Sequence, residues 1–283
     1  MQALSDFMNA RHAIYLAREA MLPRPWTGDK ILQSYRFCNI YRELDTTTQW
    51  IAENVRRPYQ RSPNLWFMLC LCRQINWVPT LRRVFSGATA AFGKSGYSPA
   101  ILAQAIEAEK VASGKAYTSA YMLTAGGASG GMRKSDITAR LILQPLWNAR
   151  DAIRPLMQDT MEGAVNALVP YYGFGPFIAY EVACDLRYCP GWLDEAKDTL
   201  LWANPGPGAR RGLNRLAGRE LDTRLTVKQC VREMQSLLVQ VTPNWKFDPG
   251  LELREIEHSL CEFDKYERVR LGQGKPRQKF NGL

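Results

Sequence analysis

Leu168-Val169-Pro170-Tyr171-Tyr172-Gly173-Phe174-Gly175-Pro176-Phe177-Ile178-Ala179 carries an apolar helix end into a Gly-x-Gly turn and at once into a new helix, with Ala179 at its first close contact. The glycines permit positive φ and let backbone amides approach a phosphate, and the second helix adds its positive N-terminal end. This is the helix-hairpin-helix pattern, and Gly173, Phe174, Gly175, Pro176 and Phe177 are its candidate DNA-binding residues. Such a hairpin anchors the DNA backbone without reading sequence. An ordinary tight turn between packed helices has the same residues, and a lone Gly-x-Gly does not separate the two.

The rest of the chain also reads as helices. From Ser5 to Ala20, Phe7, Ala10, Ile14 and Ala17 recur at three- and four-residue steps. Pro23, Pro25 and Gly28 then mark a loop, and Thr27 or Asp29 can cap a helix running through Tyr35 towards Asp45. A helix is expected over Asn64 to Trp77, and another over Ser98 to Ser113 with Ser98 as its cap. Gly126 to Gly131 reads as flexible. Ser135 to Gln158 follows as a long periodic helix with Ile137, Leu141, Leu146 and Ile153 inward, bent at Pro145 or Pro155. Few stretches alternate as strands do, so the fold class is all-α. No linker divides the chain, so residues 1–283 are expected to form one helical unit: an N-terminal part to 134, a hairpin part with a C-terminal helix over 135–267, and a basic tail over 268–283.

With 283 residues and 46% hydrophobic content, the chain can bury a full core and is no disordered adaptor. Its net charge of +10 favours a polyanionic partner. No apolar run approaches the roughly 18 to 20 residues a membrane span needs, so a soluble, intracellular protein is expected. The seven cysteines, Cys38, Cys70, Cys72, Cys184, Cys189, Cys230 and Cys261, lack paired spacings and read as reduced thiols, holding neither a structural metal nor an iron-sulfur cluster.

Two polar helix faces and one acid are the candidates for chemistry. On a helix over 35–45, Phe37, Ile40 and Leu44 face inward, while Arg36, Asn39 and Glu43 lie opposite with Arg42 beside Asn39, a set suited to holding a phosphate and an amine together. Near the C-terminus Ile256, Leu260 and Phe263 pack inward, and His258, Glu262 and Lys265 share the other side, where His and Glu can exchange a proton near neutral pH. Either set also fits a salt-bridged surface helix. Asp198 precedes Thr199-Leu200-Leu201-Trp202 and reads as an active-site acid or a helix cap. Asn204 to Gly212 is a second glycine-rich turn, in which Gly206, Gly208, Arg210 and Arg211 can bind phosphate through amides and guanidinium groups. Arg268, Arg270, Lys275, Arg277 and Lys279 form the basic tail.

The segments 35–45 and 259–266, with the Gly173 hairpin and the Gly206 to Gly212 turn between them, resemble the α-glutamyl/putrescinyl thymine pyrophosphorylase family, amino acid:DNA transferases of phage thymine hypermodification. That family is related to the helical domain found with 5-hydroxymethyldeoxyuridine DNA kinases and to helix-hairpin-helix DNA glycosylases. The likeness spans nearly the whole chain. It implies a glycosylase-like helical fold acting on double-stranded DNA with modified thymine, in the cytoplasm of an infected bacterial host. A kinase first converts 5-hydroxymethyluracil in DNA to its pyrophosphorylated form, and the transferase then replaces pyrophosphate with a free amino acid at the exocyclic methylene. The chain has no Gly-x-x-x-x-Gly-Lys-Ser/Thr loop, so the kinase step belongs to a partner.

On this reading Asp198, Arg42, Asn39 and Asp45 are catalytic, and Arg36, Glu43, His258, Glu262, Lys265 and Tyr266 hold substrates. No cofactor is required, although Mg2+ is compatible with pyrophosphate departure. Two rivals stand beside it. One is a DNA glycosylase in which Asp198 activates water or steadies the sugar cation; Phe177 stands where a lyase would keep its lysine. The other is a noncatalytic DNA-binding module serving a kinase.

Overall fold

The computed structural model describes residues 2–86, 92–93, 96–118, 131–276 and 279–280. Residues 126–130 of the glycine-rich stretch, and Arg277, lie outside them. The described residues are mostly helical, with a two-residue antiparallel hairpin pairing Phe92–Gly93 with Gly96–Tyr97. The chain divides into two compact units, one of Met1–Asp45 with Asp198–Leu283, the other of Thr46–Lys197. The boundaries between these units fall at 45/46 and 197/198.

In the first unit the Leu253–Arg270 helix is central. The helices Gln2–Glu19, Lys30–Ser34, Pro207–Leu216 and Val227–Val241 pack on it. Its apolar side buries Ile256, Leu260 and Phe263 as the periodicity requires. Phe7 meets Phe263 edge-on at 5.9 Å and Tyr266 at 5.3 Å. The Pro207–Leu216 helix comes closest because Gly208 and Gly212, one turn apart, carry no side chain. A Cβ on Gly208 would sit 2.4 Å from Cys261 Sγ, and one on Gly212 2.5 Å from the Leu260 carbonyl oxygen.

The expected basic tail is partly a helix. Arg268 and Arg270 belong to Leu253–Arg270, with Arg270 paired to Glu267 at 2.7 Å. Beyond it Lys279 bridges Tyr35, and the Phe280 amide donates to the Ser34 carbonyl at 3.0 Å.

The second unit is built on the Leu65–Ile75 helix, all of whose residues are buried. It ends at Asn76, whose φ of 44° closes it. Pro99–Ser113 begins as the sequence indicates, with Ser98 accepting from the Ile101 amide at 3.4 Å. The expected single helix over 135–158 is broken. Lys134–Asp136 runs into wide π-type turns over Ile137–Leu143 and on to Asn148; the helix stops at Ala149, at neither proline, before Arg150–Ile153. The wider turns shift the register, so Ile142 and Leu143 are buried while Leu141 is half-exposed.

Arg73 and Asp185 tie Leu65–Ile75 to Pro176–Leu186. The guanidinium donates to both carboxylate oxygens at 2.6 and 2.7 Å, Glu181 lies 3.5 Å away, and all three side chains are buried. The hairpin joins Met161–Leu168 to Pro176–Leu186. Its tight turn is closed by the Phe174 amide donating to the Tyr171 carbonyl at 3.0 Å. Only Gly173 of its two glycines has positive φ, at +84°. The expected left-handed role of Gly175 is not observed, since its φ is −66° and it precedes the helix as an extended residue.

Candidate functional site

The first unit gathers the two polar segments, by a route other than the expected helix over 35–45. Asp29 caps Lys30–Ser34 by accepting from the Ile31 and Leu32 amides at 2.7 and 3.1 Å, and the helix stops at Tyr35, which is extended. A continued helix would give the amides of Cys38 and Asn39 to carbonyls one turn back. Instead Cys38 donates to Glu262 Oε2 at 2.8 Å, and Asn39 to Asp45 Oδ1 at 3.0 Å. These carboxylates replace the helical bonds, leaving only the single turn Arg42–Leu44.

Asn39 is buried at the centre, not on the outward side assigned to it. Its side-chain amide donates to the Leu44 carbonyl at 2.9 Å and Asp45 Oδ1 at 3.0 Å, and its oxygen accepts from Arg11 Nη2 at 2.7 Å. Arg42 Nε lies 2.7 Å from Asp45 Oδ2, and Lys265 Nζ lies 2.7 Å from Glu262 Oε2. Lys265 also stands 4.7 Å over the Phe37 ring, and Tyr266 donates to Asp29 Oδ2 at 2.6 Å. The result is a layer of two half-buried cation–carboxylate pairs around one fixed amide. Burial, followed by Glu262 and Asp45, holds the Cys38 thiol well above its ordinary range, so it is no thiolate nucleophile. Burial lowers the Arg11 pKa, an effect opposed by Asp45.

The sequence reading missed Arg11. It lies at i+4 from Phe7 and i−3 from Ile14, on a shared helix side, and that spacing is the signal that places it inward. Of the other candidates, Glu43 is half-buried and Arg36 exposed. His258 is buried, with Nε2 at 3.6 Å from Glu257 Oε2, and the other oxygen of Glu257 accepts from the Gly206 amide at 3.2 Å. That amide, expected to meet a phosphate, therefore meets a carboxylate, and Gly208 meets Cys261. Arg210 donates to the Pro205 carbonyl at 3.2 Å and to the Leu225 carbonyl. Arg211 pairs at 2.9 Å with Asp264, which also holds Arg215 at 2.8 Å. Asp198 lies in a turn that its carbonyl closes by accepting from Leu201 and Trp202 at 2.9 and 2.8 Å, and no helix starts there. It belongs to the same unit as Arg42, whereas the hairpin belongs to the other.

At the hairpin, Phe174 is 1% exposed and so is core, unavailable for stacking, while Tyr172 and Phe177 are exposed. Gly173 offers its carbonyl to Gln74 Nε2 at 2.8 Å. Among the described residues no group of three His, Cys, Asp or Glu side chains could hold a metal ion, and no helix is long and apolar enough to cross a membrane.

Residues 1–275 match the family described as 5-hmdU DNA kinase, helical domain, over both units, the hairpin and the polar layer. The chain belongs to that family. No curated protein and no solved structure matches it. Its description as a helical domain agrees with the mostly helical described residues.

Proposed function

We propose that this helical domain acts in thymine modification of DNA as a transferase, replacing pyrophosphate on 5-(pyrophosphoryloxymethyl)uracil with an amino acid. The observation that carries this reading is the contact of Cys38 N with Glu262 Oε2 at 2.8 Å, which joins segments 224 residues apart and sets the Arg42–Asp45 pair and the Lys265–Glu262 pair in one layer. Paired cations in a half-buried site hold a polyphosphate more strongly than the same cations in water, because less solvent competes.

The amine nitrogen of the incoming amino acid attacks the exocyclic methylene carbon. The carbon–oxygen bond breaks, and pyrophosphate leaves with the bonding pair. Arg42 and Lys265 meet the charge that develops on it. The proton lost by the amine passes to Asp198, while Asn39 and Asp45 hold Arg42 in place. The methylene lies within a stacked duplex, so the base is flipped out for reaction.

The family description favours a second reading, a DNA-holding domain that serves a kinase without chemistry of its own. Purified protein, DNA bearing pyrophosphorylated hydroxymethyluracil and mixed amino acids, followed by nucleoside mass analysis, separate the readings. An aminoacylmethyl nucleoside supports the transferase. Unchanged DNA with retained binding supports the holding domain, and an abasic site would indicate a glycosylase.

A further inference from the structure

We infer that the groove between Pro207–Arg211 and residues 221–225 of the first unit is a binding site for the phosphodiester backbone of a DNA strand. This rests on the reading above that the domain acts on DNA, and adds where the strand lies. The groove encloses about 460 Å³, and Pro207, Arg210 and Arg211 form one wall at steps of three and four on a single helix. Leu221, Arg224 and Leu225 belong to the other.

That second wall is pinned from behind. Asn214, fully buried, donates its side-chain amide to the Leu221 carbonyl at 3.2 Å and the Thr223 carbonyl at 3.0 Å. Arg219 holds the Asn214 oxygen at 2.9 Å and grips Glu233 through two bonds at 2.8 and 2.6 Å. Arg210 ties the walls together through the Leu225 carbonyl. The groove therefore exists before any ligand arrives, and little ordering cost attends binding.

Its charge selects an anion. Three guanidinium groups line it against the single carboxylate of Asp222. Arg224 is exposed and makes no hydrogen bond or ion pair among the described residues. Arg211 is held by Asp264 through Nε with its side chain 38% exposed. A phosphodiester suits a site with guanidinium groups on both walls, and the apolar surface of Pro207, Leu221 and Leu225 suits the sugar faces between phosphates. A free amino acid would instead set its ammonium on Asp222.

The test is anisotropy of a labelled duplex with the full chain across a salt series. The proteins are wild type, Arg224→Ala, Arg224→Lys and Arg57→Ala, the last an exposed arginine of the other unit. Arg224→Ala is expected to weaken binding several-fold and to lower the slope of log K against log salt by about one; Arg224→Lys keeps the slope, and Arg57→Ala leaves both unchanged. Melting curves verify folding, and Arg224→Gln, which also removes the charge and carries the same expectation, serves if the alanine variant fails to fold. Wild-type binding matched by Arg224→Ala, or equal losses in Arg224→Ala and Arg57→Ala, overturns the groove alone. No wild-type binding overturns the DNA reading and the groove with it. A melting shift with mixed amino acids that depends on Arg224, beside unchanged DNA affinity, makes the groove an amino-acid site and the inference wrong.

Discussion

At Gly173 the backbone φ is +84°, and a Cβ there would lie 2.7 Å from Ile142 Cδ1, whereas Gly175 is extended and open. Gly173→Ala is therefore expected to cost about 1–3 kcal/mol through strain and crowding, and Gly175→Ala to stay within about 0.5 kcal/mol. Thermal melts of the two variants measure the difference, and equal shifts would contradict it. Glu255 offers a pH-dependent counterpart. Burial, partly opposed by Arg254, raises its carboxyl pKa to about 7. Its unfolded value is about 4.3, so the folded state holds the proton more tightly. The stability Glu255 contributes is fully present below the unfolded pKa and is lost as pH rises towards 7. The stability difference between wild type and Glu255→Gln should accordingly fall between pH 4 and 7, by at most about 1.4 kcal/mol per pH unit. Denaturant titrations across that range would show it, and a flat difference would refute it. At the proposed reaction centre, Arg42→Ala and Asp198→Asn should each lower product formation by about 10² to 10³ with duplex binding within about tenfold. Retention of more than about a third of wild-type turnover would make that residue structural.

Between elements, the tightest fits come from residues the periodic pattern cannot weigh. Gly212 brings Pro207–Leu216 against the Leu260 carbonyl, so Gly212→Val should overpack the contact and cost about 1–3 kcal/mol, read from denaturant midpoints. Asp185→Ala removes the two short bonds to buried Arg73 and leaves Glu181, 3.5 Å away, as its remaining carboxylate, and a loss of about 3 kcal/mol is expected by the same measure. These positions also show what was legible in the sequence. Caps and prolines state their role locally, so Ser98 and Pro99 mark a helix start correctly. The spacing of Phe37 and Ile40 reports burial, and both are buried, but it does not report which acceptors the backbone will find. The acceptors for Cys38 and Asn39 are Glu262 and Asp45, and the first lies 224 residues away. No local rule predicts an extended segment there. The same limit applied at 137–143, where wide turns moved the buried register by one residue.

Over the whole molecule, the 37 Lys and Arg residues and net charge of +10 state an appetite for polyanions without saying how many cations can act on it. Many arginines are already committed within their own unit. Arg73 holds Asp185, Arg211 and Arg215 hold Asp264, Arg219 holds Glu233, and Arg254 holds Glu252 and Glu255. Such a cation is partly neutralised before DNA arrives, so it releases fewer counterions on contact than one such as Arg224, unpaired among the described residues. The number of phosphates neutralised should thus be far below the count of basic residues, and the slope of log K against log salt should be about −3 to −6, at roughly 0.9 per phosphate. Sequence should matter little, because backbone contacts carry no base information. Anisotropy with two unrelated duplexes, each measured from about 50 to 200 mM salt, tests both statements. Parallel lines of that slope, with affinities within about threefold of each other, are expected. A flat response would mean that the paired arginines leave no working electrostatic face, and strong preference for one duplex would mean that side chains read base edges, as an arginine does on a guanine edge, and not the backbone alone.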